Sequence, residues 1–172
     1  WPMTTADLYA NVVSATSTNG PGSADRTSAI QTYCKADPEC SLYNWALAGC
    51  EVHTGYLKVG AGGTIGVITT DVLGEKANGA CTVSFKVSPR SDSNACKALV
   101  KLVVVHADGT ETVAASGLDV LTNGDSFNYT WKSFEVKDVQ LQPTDKLRIA
   151  GDTDAASGAF RFHLDDILVV AQ

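Results

Sequence analysis

From Cys50 to Val170 the chain is a succession of short β-branched or apolar runs, each closed by a turn rich in Gly, Asn or Asp. Cys50–Val59 alternates and stops at Gly60-Ala-Gly-Gly63, Thr64–Val72 is β-branched, and Asn78-Gly79 turns into Cys81–Ser88. A loop at Pro89–Asn94 leads to Lys97–His106, whose Leu102–Val105 stretch is wholly apolar. Asp108-Gly109 carries the type I′ hairpin signature and opens Glu111–Ser116. Asn123-Gly124 precedes Phe127–Val139, Lys146–Ala150 is short, and Ala159–Val170 closes the chain. No helix-period pattern of any length interrupts this series. Strands of this kind bury one face each, so they must pack sheet on sheet. The expectation is about eight or nine strands in an all-β, antiparallel β-sandwich of jelly-roll type.

Residues 1–50 are less regular, being rich in Thr, Ser, Ala and Gly. Leu8–Val13 is expected to form a first strand, Asn19-Gly-Pro-Gly-Ser23 a loop, and Ala24–Cys34 one short helix capped by Ser23. With no internal repeat, residues 1–172 are read as one domain: a loop-rich part over 1–50 with the first strand, then the main strands over 51–172. Hydrophobic residues make up 44% and charged ones 19%, which is enough apolar surface for a packed core. The net charge of −6 and the lack of any Lys/Arg cluster among aromatics argue against nucleic acid as a partner. No stretch approaches the roughly 18 apolar residues that span a bilayer.

The sequence opens Trp1-Pro2-Met3 without the basic and apolar regions of a signal peptide, as a processed or excised chain would. Cys34, Cys40, Cys50, Cys81 and Cys96 show no zinc-type spacing. Two disulfides and one unpaired thiol would suit an exported protein, and five buried thiols a reducing compartment.

The closing strand breaks its own pattern. Phe160, Phe162 and Leu164 share one parity, whereas Ile167 and Val169 share the other. Either a β-bulge at Asp165-Asp166 shifts the register, or one aspartate points into the core and needs a cation or hydrogen-bond donors there. Adjacent strand residues face opposite ways, so the pair is not read as a catalytic dyad. Asp165 is expected inward and Asp166 outward.

Tyr56-Leu-Lys-Val-Gly60, Gly66-Val-Ile-Thr-Thr70, Trp131-Lys-Ser-Phe134 and Arg161-Phe-His-Leu-Asp-Asp-Ile167 occur in that order. This series resembles the galactose-binding-like jelly-roll modules of bacterial exported and cell-surface proteins, relatives of carbohydrate-binding modules. The likeness covers roughly residues 43–170, and the closing strand is its most specific part. His163 stands where the pattern has an aromatic, and Leu8-Tyr-Ala-Asn11 lacks the acid often found there. The resemblance implies a secreted, cell-surface or periplasmic binding or adhesion module without catalytic residues. It further implies a structural calcium ion held by Asp165 and backbone carbonyls. The expected partner is a glycan or cell-surface polysaccharide, met by a monomeric module.

A sugar presents apolar C–H faces to aromatic rings and hydroxyls to polar groups. Tyr43 and Trp45 are accordingly the candidate stacking residues, with Asp152 and Asp154 on the loop rim as candidate hydrogen-bonding partners. Trp131, inside a strand, is expected in the core. Gly60-Ala-Gly-Gly-Thr-Ile-Gly66 lacks the helix that a dinucleotide-binding loop requires, and is read as a hairpin loop. Two other functions stay open: a structural or protein-interaction spacer, and a jelly-roll glycoside hydrolase with acids about 5–9.5 Å apart across a cleft.

Overall fold

The computed structural model describes residues 2–3, 44–53, 56–60, 64–89, 99–120, 131–152 and 161–172. The expected first strand at Leu8–Val13 and helix at Ala24–Cys34 lie outside these residues. Among them there are strands and no helix: β1 (Pro2–Met3), β2 (Ala46–Ala48), β3 (Cys50–His53), β4 (Tyr56–Val59), β5 (Val67–Thr69), β6 (Gly79–Pro89), β7 (Leu99–Val105), β8 (Glu111–Asp119), β9 (Lys132–Leu141), β10 (Lys146–Gly151) and β11 (Phe162–Ala171).

One sheet runs β3-β4-β11-β6-β9, with β1 pairing β11 beyond the end of β4; the other runs β2-β5-β10-β7-β8. All pairings are antiparallel. From β4 to β11 the eight strands divide as β4-β11-β6-β9 against β5-β10-β7-β8. That interleaved order is the double Greek key of a jelly roll. The all-β jelly-roll sandwich expected from the turn rhythm is therefore the architecture observed.

The core forms where the inward parities of the two sheets meet. Leu57, Val59, Val83, Phe85, Val87, Phe162, Leu164 and Ile167 come from one sheet, and Ile68, Leu102, Val104, Leu147 and Ile149 from the other; all are buried. Phe85 packs on Phe134 with ring centroids 5.8 Å apart and planes tilted by 48°, a favourable arrangement for two quadrupoles.

The parity break in β11 is a bulge. Asp165 pairs with Lys86 and Leu168 with Ser84, so one extra residue enters β11 between them. Asp166 takes a left-handed φ of 48° and its N–H donates to Asp165 Oδ1 at 2.8 Å. Leu164 and Ile167 can then both point inward although their parities differ. The shift acts only after residue 165, so Asp165 lies on the face opposite to the core residue Leu164, paired with the exposed Lys86. The expected inward turn of Asp165 is thus corrected. Lys86 Nζ lies 2.6 Å from Asp166 Oδ2, and this hydrogen bond and charge hold the ammonium above its ordinary range, with Asp165 adding to the effect.

Two turn expectations also change. The β7–β8 hairpin forms at Asp108-Gly109, but of the two only Gly109 has positive φ (84°), which excludes the type I′ geometry. Instead the Gly109 N–H donates to the His106 carbonyl, and Asp108 Oδ1 accepts from the Thr110 N–H and hydroxyl, which pulls the Asp108 carboxyl below the usual range. The Gly60–Gly66 segment does not close a hairpin. It carries the chain from β4 in one sheet to β5 in the other.

Cys50 and Cys81 are buried thiols. The Cys50 thiol donates to the Ala48 carbonyl at 3.3 Å. Burial pushes the Cys81 thiol up, away from the reactive thiolate. Iodoacetamide at neutral pH is accordingly expected to leave Cys81 unmodified in the native protein and to alkylate it in urea, as read by peptide mass mapping. Native labelling at the rate of the unfolded chain would contradict this.

Candidate functional site

The outer face of the five-stranded sheet carries a groove of about 450 Å³. Its origin is legible in the strand register. Opposed residues in antiparallel strands share a face, so Ala46, Thr69, Arg148 and Val103 form one row across β2, β5, β10 and β7. Ala48, Val67, Ala150 and Lys101 form the next. Alanines at 46, 48 and 150 leave the floor without side-chain bulk, and Val67 and Val103 keep it apolar. The polar wall is fixed by its own contacts. Arg148 Nε donates to Thr69 Oγ1 at 3.2 Å, while its Nη1 is paired with Glu111 Oε1. These two contacts hold the guanidinium in place at the groove. Lys101 stands in the second row, beside Gly151 at the end of β10. The groove is open to solvent, apolar below and hydrogen-bonding at its sides, which suits a ligand that is itself amphipathic.

The residues singled out from the sequence do not assemble there as expected. Trp45 is only 3% exposed and packs in the core cluster, so its ring offers no face to a sugar. It precedes β2, and the chain turns it inward together with Leu47. Tyr43 and Asp154 lie outside the described residues. Asp152 is 1% exposed; its Oδ2 accepts the Gly117 N–H at 2.7 Å and its own N–H donates to the Leu99 carbonyl at 2.8 Å. It is a clamp on β8 and not an open rim residue. Trp131, expected in the core, is 38% exposed just before β9 and does not line the groove.

A second polar cluster joins two hairpin ends. His106 Nδ1 is 3.1 Å from Asp145 Oδ1 and its Nε2 is 2.9 Å from Thr112 Oγ1. Asp145 is buried, and its Oδ2 accepts the Gln142 N–H at 2.9 Å. The cluster ties the turn after β7 to the turn before β10.

Strand order and groove together define the chain as a jelly-roll sandwich with an open cleft on one sheet. No family model matches it, and no curated protein matches it. Among solved structures it is similar to the CBM22-1 xylan-binding domain of Xyn10C from Paenibacillus barcinonensis, 16% identical, with 74% of this chain and 87% of that chain covered at a TM-score of 0.49. It is also similar to TmCBM61 in complex with β-1,4-galactotriose, 12% identical over 76% of this chain and 90% of that one, at a TM-score of 0.49. The K3 cleaved adhesin domain of Lys-gingipain from Porphyromonas gingivalis W83 is 14% identical over 70% and 79%, with a TM-score of 0.48. The jelly-roll assignment rests on the strand order, not on these likenesses.

Proposed function

We propose that this chain is a non-catalytic carbohydrate-binding module of a secreted or cell-surface protein, acting as a monomer, with the groove across β2, β5, β10 and β7 as its glycan site. The observation that carries this reading is the groove itself, with small apolar residues below and the Arg148–Glu111–Thr69 cluster beside them. Sugar hydroxyls pair with such fixed donors and acceptors, and the C–H face rests on the floor. Two-acid glycoside hydrolysis would need a second carboxylate facing Glu111, and among the described lining residues Glu111 is the one carboxylate, already paired with Arg148.

Calcium belongs to the same proposal, with Asp165 as its carboxylate ligand. Among the described residues no group of three or more His, Cys, Asp or Glu side chains is placed to hold a metal ion. In this proposal backbone carbonyls supply further oxygens, as Ca2+ takes about six to eight of them.

The test is a glycan array with and without EDTA, followed by titration of any positive glycan. Arg148→Met is expected to weaken binding about tenfold or more, the worth of a lost charged hydrogen bond. Ala46→Leu/Ala48→Leu should weaken it similarly by filling the floor while leaving the melting temperature near that of the parent. A blank array would favour the spacer function, and full affinity in both variants would move the site out of the groove. An unchanged melting temperature in EDTA would remove calcium from the proposal.

A further inference from the structure

We propose that Thr112 is an activated nucleophile, a hydroxyl that accepts a short acyl group from an ester with a good leaving group. The site is separate from the glycan groove and shares no lining residue with it. What carries the proposal is a line of contacts from a buried carboxylate through an imidazole to an exposed hydroxyl. Asp145 Oδ1 lies 3.1 Å from His106 Nδ1, and His106 Nε2 lies 2.9 Å from Thr112 Oγ1. Asp145 is 1% exposed, and its other oxygen accepts the Gln142 N–H at 2.9 Å.

Each group holds the next in the state that acyl transfer requires. An ionised carboxylate has only acceptors, so Asp145 draws the ring proton to Nδ1 and leaves a lone pair at Nε2 of the neutral imidazole. Thr112 donates to that lone pair, which is how an imidazole serves as general base for a hydroxyl. The register explains why the three meet. Thr112 pairs with the core residue Val104, so it stands on the inner face of β8, an end strand of its sheet. His106 follows Val104 by two residues, and Asp145 immediately precedes β10, which pairs with β7.

The hydroxyl opens on a pocket of about 260 Å³ between β8 and β9. Val104, Ala114 and Val139 give it an apolar lining. That volume is below the roughly 300 Å³ at which drug-sized sites begin, so it suits an acyl chain of a few carbons. In the step itself the Thr112 oxygen bonds to the ester carbonyl carbon while its proton passes to His106 Nε2. The bond from that carbon to the leaving oxygen breaks, and the imidazolium gives the proton to the departing group. An O-acyl Thr112 and a free alcohol or phenol result, with no oxidant or further reactant consumed.

Thr110 is an internal control. Its hydroxyl donates to the Asp108 carboxylate at 2.6 Å rather than to an imidazole. The experiment treats the native protein with p-nitrophenyl butyrate or p-nitrophenyl decanoate and locates O-acylation by fragment mass spectrometry. Thr112 is expected to take butyrate at least about tenfold faster than Thr110, a modest share of the hundredfold or more that a general base typically supplies. In urea the ratio should approach one, and decanoate should label Thr112 more slowly than butyrate. His106→Gln should also bring the ratio close to one, with the melting temperature reporting that the sandwich persists. Asp145 acts through His106 and is a positioning residue. In Asp145→Asn the amide oxygen is held by the Gln142 N–H, so the NH2 faces Nδ1 and the ring proton moves to Nε2. The ratio should fall, and the 15N spectrum of His106 should report the exchanged tautomer, which lost packing alone would not produce. Equal native labelling of Thr112 and Thr110 would overturn the proposal, as would a preference that survives in folded His106→Gln. If that variant unfolds, a native ratio that persists in urea overturns it instead. Decanoate labelling as fast as butyrate would overturn the pocket as the acyl site.

Discussion

Replacing Gly66 by alanine is expected to destabilise the sandwich by more than about 3 kcal/mol, at the upper end of what overpacking costs. A Cβ at this position would lie 2.1 Å from the Gly60 nitrogen, 2.5 Å from Val59 Cγ1 and 2.7 Å from the Val59 carbonyl carbon. Two of the three obstacles are backbone, and no rotamer change relieves them. The same Gly60 nitrogen donates to the Gly49 carbonyl at 2.8 Å, so moving it would also break the contact that closes this corner. Gly74 is the control. Its φ is +78° but a Cβ there would meet nothing within 4 Å. Gly74→Ala should therefore cost only left-handed strain, about 1 kcal/mol. Urea denaturation of the three proteins measures the difference. Gly66→Ala with a midpoint equal to or above that of Gly74→Ala would mean that the corner where β4 crosses to β5 is not packed as described.

Removing the Asp145 carboxylate is the second large effect, expected at about 2–3 kcal/mol for Asp145→Ala. One oxygen accepts the Gln142 N–H and the other meets His106 Nδ1, in a side chain that is almost wholly buried. The substitution leaves an amide without its acceptor and a ring without its anchor. His106→Ala should cost less, because the half-exposed imidazole is the cheaper partner to lose and Asp145 keeps Gln142. Asp145→Asn, retaining an acceptor oxygen, should fall between the parent and alanine. A double-mutant cycle of the two alanine variants should give a coupling of about 0.5–1.5 kcal/mol. Additive effects would show that the two hairpin ends are held by other contacts.

Much of the fold was legible because period-two alternation and turn residues are local signals. The β11 bulge is the clearest instance: the parity change between Leu164 and Ile167 is visible in seven residues and demands an irregularity wherever the strand pairs. Its finer geometry was not legible. Whether the shift falls before or after Asp165 depends on which residue of β11 meets Lys86, a contact about 80 positions away in the chain. The same limit applies to the Gly60–Gly66 loop, since no residue within it says that its two strands belong to opposite sheets.

The site was less legible than the fold. Aromatics and loop aspartates attract notice as sugar-binding residues, yet Trp45 and Asp152 are spent on packing and on clamping β8. The groove has no sequence signal of its own. Ala46, Ala48 and Ala150 are ordinary alanines until β2, β5 and β10 lie side by side. Likewise Glu111 and Arg148 become a pair only through the hairpin and sheet order that bring β8 and β10 near each other. A concavity built from missing side chains can be read only after the register is known.

The left-handed Asp138 in β9 carries a consequence for how crowded copies of this chain behave. β9 and β8 end their respective sheets among the described strands, and an exposed strand edge is a template for another chain to pair with. β9 is interrupted by a register shift opposite Cys81–Val83, with Asp138 at φ 57°, and it carries Lys132, Glu135 and Lys137. β8 breaks register at two points and holds Gly117 at φ 64°. Neither of these two edges offers the flat, regular ladder that edge-to-edge pairing requires, so at these two ends crowded copies meet an interrupted template.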